Sequence, residues 1–207
     1  MVARLTQFPG PNTAAQGVVE EVRGLETDPG VDVEIVIREH GLRTAFPEAV
    51  EAATQAIPDA MGPIEPPRVD LRDLLTVTID PVDARDFDDA ISLESHAGGW
   101  RLWVHIADVS SYVEWGDAID VEAEERATSV YLVDRVLPML PERLSNGICS
   151  LNPGVDRFTL TVEFDLDRAA KVRGYRLYPS AIRSDHRLDY ESAQRWLETD
   201  DGFPDDA

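Results

Sequence analysis

The chain has 207 residues, 43% of them hydrophobic, enough for one large domain or two small ones with a real core. Forty acidic against nineteen basic residues give a net charge of −21, which argues against a surface built for a polyanion; with Lys171 the only lysine, the acid excess reads as a solvated, salt-adapted surface. A single cysteine, Cys149, excludes internal disulfides and a cysteine-based zinc cluster and reads as a small buried hydrophobe, while the lack of a bilayer-length apolar run or a secretory leader leads us to expect a cytoplasmic protein with no membrane partner.

In chain order, "VDVEIVIREH" sets Val31, Val33, Ile35 and Ile37 at period two, which predicts a strand, with "AAQGVVEEVR" as its partner in a small β unit. "PEAVEAATQAI" predicts a helix, with Pro47 in its first turn and Val50, Ala53 and Ile57 at helical spacing. "PDAMGPIEPP" has four prolines in ten residues and can continue neither element, so residues 58–67 are expected to be a linker between a unit over 1–57 and a second over 68–207. In the second, "LLTVTID", "WRLWVHIAD" and "RFTLTVEFDLD" read as strands, the last paired through a turn at "DRAAKV" with "RGYRLYPSAIR". "DAIDVEAEERATSVYL" predicts a helix capped by Asp120, "DYESAQRWLE" predicts another, and the acidic tail "ETDDGFPDDA" is expected to be frayed. The fold class is therefore α+β.

The chemistry concentrates in "TVTIDPVDARDFDDAI", where Asp80, Asp83, Asp86, Asp88 and Asp89 follow a short apolar strand. Like charges packed this closely repel unless water separates them or a cation sits among them. Magnesium takes oxygen ligands, one or two of them protein carboxylates beside waters and phosphate oxygens. The spacing alone leaves a solvated acidic loop and a hard-cation site equally open. Two other carboxylate motifs fail: a helix-loop-helix calcium loop starting at Asp86 would need glycine where Ile91 stands, and a phosphatase-type nucleophilic aspartate would need an apolar run where "VDAR" stands.

"VDLRDLLTVTIDPVDARDFDDAI", "WRLWVHIADVSSYV" and "SVYLVDRVLPMLPERLSNGICSLNPGVDR", in that order and spacing, closely resemble the RNB catalytic domain of the ribonuclease II family, specifically its ribonuclease R branch. The resemblance runs from residue 68 to about 198, and the part before residue 65 resembles the end of a cold-shock-type OB barrel. It implies a partial OB unit over 1–57 and the N-terminal part of a mixed α/β catalytic domain over 68–207. By the same resemblance the chain belongs to a magnesium-dependent, processive 3′-to-5′ exoribonuclease that hydrolyses single-stranded RNA from its 3′ end to nucleoside 5′-monophosphates. The family's four essential aspartates map onto Asp80, Asp86, Asp88 and Asp89 as catalytic and metal-binding residues. Asp80 and Asp89 are the implied direct ligands, and Asp88 the carboxylate whose loss most damages the chemistry. Tyr131, by itself a core aromatic, matches the family's residue that stacks on a nucleotide near the 3′ end.

Asp83 matches no required position and reads as a turn residue. His105 reads as a packed, hydrogen-bonded histidine, Asp108 as a turn or second-layer carboxylate, and Arg143, Arg157 and Arg183 as partners of phosphates or of neighbouring acids. Family members are longer, with further barrels, a longer catalytic domain that carries an arginine at the transferring phosphoryl group and a second clamping aromatic, and an S1 domain. The chain is therefore expected to be a fragment, with apolar sheet surface such as "FTLTVEF" uncovered and little activity alone. A non-catalytic RNA-binding or interaction module on the same fold is the alternative.

Overall fold

A computed structural model describes residues 2–22, 24, 25 and 27–199. In chain order the elements are β1 (Val2–Gln7), β2 (Gln16–Glu21), α1 (Val31–Glu39), α2 (Glu48–Ala56), β3 (Val69–Asp70), β4 (Val77–Asp80), β5 (Asp89–His96), β6 (Gly99–Ala107), α3 (Ala118–Arg126), β7 (Val130–Tyr131), β8 (Val136–Leu137), β9 (Asp156–Asp167), β10 (Val172–Arg183), β11 (His186–Asp189) and α4 (Tyr190–Thr199). A π-helical turn, Arg143–Ile148, precedes β9. Two compact units divide them: residues 1–45 with 128–137, and residues 46–127 with 138–207. The division falls before Phe46, ahead of the expected 58–67 linker, because α2 packs on α3 of the second unit. The expected fraying of the tail concerns residues that from 200 onward lie outside those described.

In the first unit β1 and β2 form an antiparallel ribbon, and β7 pairs with β8. The segment read as a strand, Val31–Glu39, is instead a helix. Its apolar positions satisfy both periods, since Val33 and Ile37 lie four apart and so share a helix face, and short apolar runs do not decide between the two. End chemistry does: Asp32 and Glu34 stand in the first turn and Arg38 in the last, each matched to the helix dipole. Leu42 N donates to Ile37 O at 2.8 Å where Gly41 turns left-handed, which closes the helix end.

The second unit is built on a seven-stranded sheet of order β11-β4-β5-β6-β9-β10-β3, antiparallel except for β11 on β4 and β3 on β10. Four strands stand between β10 and β11 in that order, yet only Ser184 and Asp185 join them. Such a link reaches about 11 Å, so the sheet must curl until its edges approach. Gly99, at the tight β5–β6 turn, is required: a Cβ there would lie 2.1 Å from Leu166 O. The cap of α3 is Asp117, three residues before the expected Asp120; its carboxylate accepts from Ile119 N and Asp120 N, both at 2.8 Å.

The alternation along β6 and β9 is present, but the buried side is the polar one. Trp103, His105, Thr159, Thr161 and Glu163 are buried, whereas Ile106 and Leu160 are exposed. Inside the curl a chain of side-chain hydrogen bonds crosses five strands or strand ends. Thr76 Oγ1 meets Ser92 Oγ at 2.8 Å, Ser92 Oγ meets His105 Nε2 at 3.1 Å, and His105 Nδ1 meets Thr161 Oγ1 at 2.8 Å; Ser180 then links Thr161 and Thr159. Burial lowers the His105 pKa to about 4, so the ring is neutral and can donate at one nitrogen while accepting at the other. An apolar cluster of Val50, Phe87, Ala90, Ala107, Ile119, Leu144, Ile148, Cys149, Leu151 and Ile182 packs α2, α3 and the π-helical turn against the sheet. Cys149 is buried as expected, and burial pushes its thiol up to about 12.

Candidate active site

Asp80 ends β4 and Asp89 begins β5, so the two strands deliver both carboxylates from backbone that the sheet fixes. The eight-residue loop between them is held just as firmly. Phe87 buries its ring in the apolar cluster; Phe87 N donates to Ser150 Oγ at 3.0 Å, Ser150 Oγ donates to Arg85 O at 2.9 Å, and Leu151 N donates to Phe87 O at 2.9 Å. On the other side Ala107 N donates to Asp88 O at 2.8 Å. The motif "NGICSLNP" is thus a clamp on the aspartate loop, and Arg157 holds the clamp by donating to Gly147 O and Ser150 O, each at 2.8 Å.

The four matched carboxylates share one field. Burial raises the pKa of Asp80, and Asp89 and Asp86 add to the rise while Arg187 opposes it. Asp88 keeps contact with solvent, yet desolvation by the surrounding chain raises its pKa, with Asp86, Asp89 and Asp80 adding to the effect. Asp80 Oδ2 is buried with no hydrogen-bond partner among the described residues. A buried acceptor left unsatisfied costs about 1–3 kcal/mol, more when charged. Among the described residues no three His, Cys, Asp or Glu side chains converge as a closed metal cluster. Magnesium does not need one, because it is usually held by one or two carboxylates and completes its shell with water and phosphate oxygens. The hard oxygen donors, their mutual repulsion and the orphaned Asp80 oxygen fit such an ion.

Asp83 is exposed on the loop. Tyr131 lies on β7, in the first unit, and is 69% exposed, so it is a surface aromatic and no part of a core. His105 belongs to the interior hydrogen-bond chain. Asp108 accepts from Arg68 Nη2, Ser110 Oγ and Ser111 Oγ at 2.8, 2.6 and 2.7 Å, and these bonds hold it below the usual carboxylate range against the opposing effect of burial. Arg183 pairs with Asp156 at 2.6 Å, and Arg143 donates to Thr54 O, Ile57 O and Asp59.

Three residues of this neighbourhood have contacts that the sequence does not foretell, although Ser150 lies in one of the quoted motifs. Arg187 donates to Val82 O at 2.5 Å and Pro81 O at 3.2 Å and stands 5.1 Å from the Phe87 ring centre. Asp189 pairs in register with Asp80, and hydrogen bonds from Ser192 keep its carboxyl below the usual range. Ser150 is the clamp hydroxyl. Each reaches the loop from sixty or more positions away, a distance over which spacing carries no information.

Residues 68–206 match the RNB domain family and residues 1–47 the cold shock domain family. Ribonuclease R of Thermotoga maritima is 47% identical over 207 residues, an alignment that covers 96% of this chain and 28% of the relative. Ribonuclease R of Escherichia coli is 45% identical, over 97% of this chain and 25% of its own length. The solved structure of Mycoplasma genitalium RNase R in complex with double-stranded RNA superposes with a TM-score of 0.88 at 31% identity, covering 97% of this chain and 36% of that one. The chain thus spans about a quarter of the length of these curated relatives. With the aspartate motif, its clamp and the curled sheet all inside the matched region, the chain belongs to the RNB domain family.

Proposed function

We propose that this chain carries the metal-holding part of a cytoplasmic, processive 3′-to-5′ exoribonuclease that hydrolyses single-stranded RNA to nucleoside 5′-monophosphates. The observation that carries the reading is the group of four mutually repelling carboxylates at one strand junction, with Asp80 Oδ2 buried and unpartnered. Asp80 and Asp89, fixed by β4 and β5, are the direct magnesium ligands in this reading, and Asp86 and Asp88 complete the negative field from the clamped loop. Bound magnesium supplies a lowered water pKa for attack on the phosphodiester and charge stabilisation for the departing 3′ oxygen. The chain's own part is to orient the carboxylates and hold them together against their mutual repulsion, which raises the pKa of Asp80 and Asp88 and which a bound cation would offset. Tyr131 offers an exposed ring for base stacking, which tolerates any sequence. No described helix is long and apolar enough to cross a membrane.

The test is a chimera in which this chain replaces the corresponding quarter of Thermotoga maritima ribonuclease R, incubated with single-stranded RNA in magnesium or EDTA beside its Asp88→Asn variant. Nucleoside 5′-monophosphates are expected with magnesium and the unmutated chimera alone, and the 207 residues by themselves are expected to cut little or nothing. A folded chimera that binds RNA and leaves it intact in every condition would replace this reading with that of a non-catalytic RNA-binding module.

A further inference from the structure

A cleft of about 690 Å³ opens on the other side of the aspartate loop, lined by Arg85, Phe87, Arg143, Asn146, Asn152 and Arg187 among others. Ala84, Arg85 and Phe87 line the cleft, while Asp86 and Asp88 are absent from its lining. In a chain of net charge −21, most arginines described are neutralised by acids. Two that are not meet here. Arg85 makes no ion pair or side-chain hydrogen bond among the described residues, and the Arg187 hydrogen bonds go to the carbonyl oxygens of Pro81, Val82 and Ala84, its charge being offset only through space by Asp80. Arg143 adds a third guanidinium, shared with the exposed Asp59, and Glu142 is the one acid on the lining. Asn146 accepts from Ser145 Oγ through its amide oxygen, which leaves its amide nitrogen as the group able to donate.

We propose that this cleft binds a phosphomonoester dianion, at a site separate from the carboxylate face. Guanidinium forks match phosphate oxygens two at a time, and the volume suits a ligand of nucleotide size. Within a Debye length of about 8–10 Å, a dianion seated among the cleft arginines is attracted by them with little screening, against the net charge of the chain. The ligand could be a free nucleotide or the phosphorylated end of an RNA. The proposal stands whether or not the aspartates cut RNA.

The experiment is calorimetric titration of the 207-residue chain, in EDTA and at constant ionic strength, with inorganic phosphate, AMP and adenosine in turn. Saturable binding of phosphate and AMP, none of adenosine, and roughly tenfold weaker binding by Arg85→Gln are expected. Arg85 is the variant of choice because its exposed side chain holds no structural bond, and far-UV circular dichroism confirms that the variant is folded. A short RNA with a 3′-phosphate, compared with its 3′-hydroxyl form, assigns the source: preference for the phosphorylated end over AMP points to RNA termini, and preference for AMP to free nucleotide. Failure of phosphate and AMP to saturate, equal binding of adenosine, or an unchanged affinity in Arg85→Gln each overturns the proposal.

Discussion

The inside and the outside of the curled sheet follow opposite rules. Inside stand Ser92, His105, Thr159, Thr161 and Ser180, all close to fully buried; outside, on the same strands, Leu93 is 56% exposed and Leu160 42%. A simple reading of the alternation would turn the leucines inward. Hydroxyls and the His105 ring can go inside when each finds a partner, because burying a polar group is costly mainly when its hydrogen bond is lost. The difference teaches that partner geometry, as much as hydrophobicity, chose the inner face.

Breaking the inner chain should have the largest effect. His105→Leu removes one partner each from Ser92 and Thr161, two buried hydroxyls that keep Thr76 and Ser180, and is expected to cost about 2–4 kcal/mol in urea melts. Acid should do the same to the unmutated protein. The His105 pKa falls from 6.5 to about 4 on folding, so between those values the unfolded chain binds the extra proton. Stability is then full above pH 6.5 and declines by up to about 3 kcal/mol as pH falls to 4. His105→Gln, which can still donate and accept, should fold and flatten that slope.

The aspartate junction inverts the inner rule, since Asp80 Oδ2 is buried and unmatched. Its raised pKa means that folding favours the protonated form, so in EDTA its destabilising effect is present at neutral pH and relieved by acid. Asp80→Asn should therefore melt higher than the unmutated chain in EDTA. Magnesium at about a hundredfold excess over its dissociation constant should stabilise the unmutated chain by about 2–3 kcal/mol, a gain that Asp80→Asn loses. A melt unmoved by magnesium in both proteins would remove the ion from the site.

Much of this was legible in the sequence, for reasons that differ by element. The β9–β10 hairpin declares itself through long alternation around a short turn, and the aspartates through local density and motif order. The helix Val31–Glu39 was hidden because its apolar spacing fits both periods and its end charges decide. Which face of β6 and β9 is buried was hidden because the curl depends on pairings such as β11 with β4, more than a hundred residues apart. Arg187 and Ser150 were hidden for the same reason: what they hold is remote in sequence.

The rule for the inner face is sharpened by its exception. Thr78 Oγ1 is buried there without a partner among the described residues, whereas Thr161 Oγ1 has two. Thr78→Val should be neutral or stabilising by up to about 1 kcal/mol, while Thr161→Val should cost about 1–3 kcal/mol. Equal losses at both sites would mean that the curl tolerates valine nowhere and that shape, with hydrogen bonding secondary, sets the inner face.

The smallest effect is expected outside. Leu160 pairs in the sheet with Ile106, also exposed, and with the half-buried Pro179, so exposed apolar surface continues from β9 onto β6. Leu160→Lys leaves the packed interior untouched and should change stability by no more than about 0.5 kcal/mol. Its effect should appear in association instead: a contiguous apolar patch promotes self-contact, and a charge at its centre interrupts it. Sedimentation velocity should show the unmutated chain forming larger species as concentration rises and Leu160→Lys remaining a monomer. If the variant also loses stability on the scale of His105→Leu, the outer face depends on packing as much as the inner one does, and the contrast between the two faces fails.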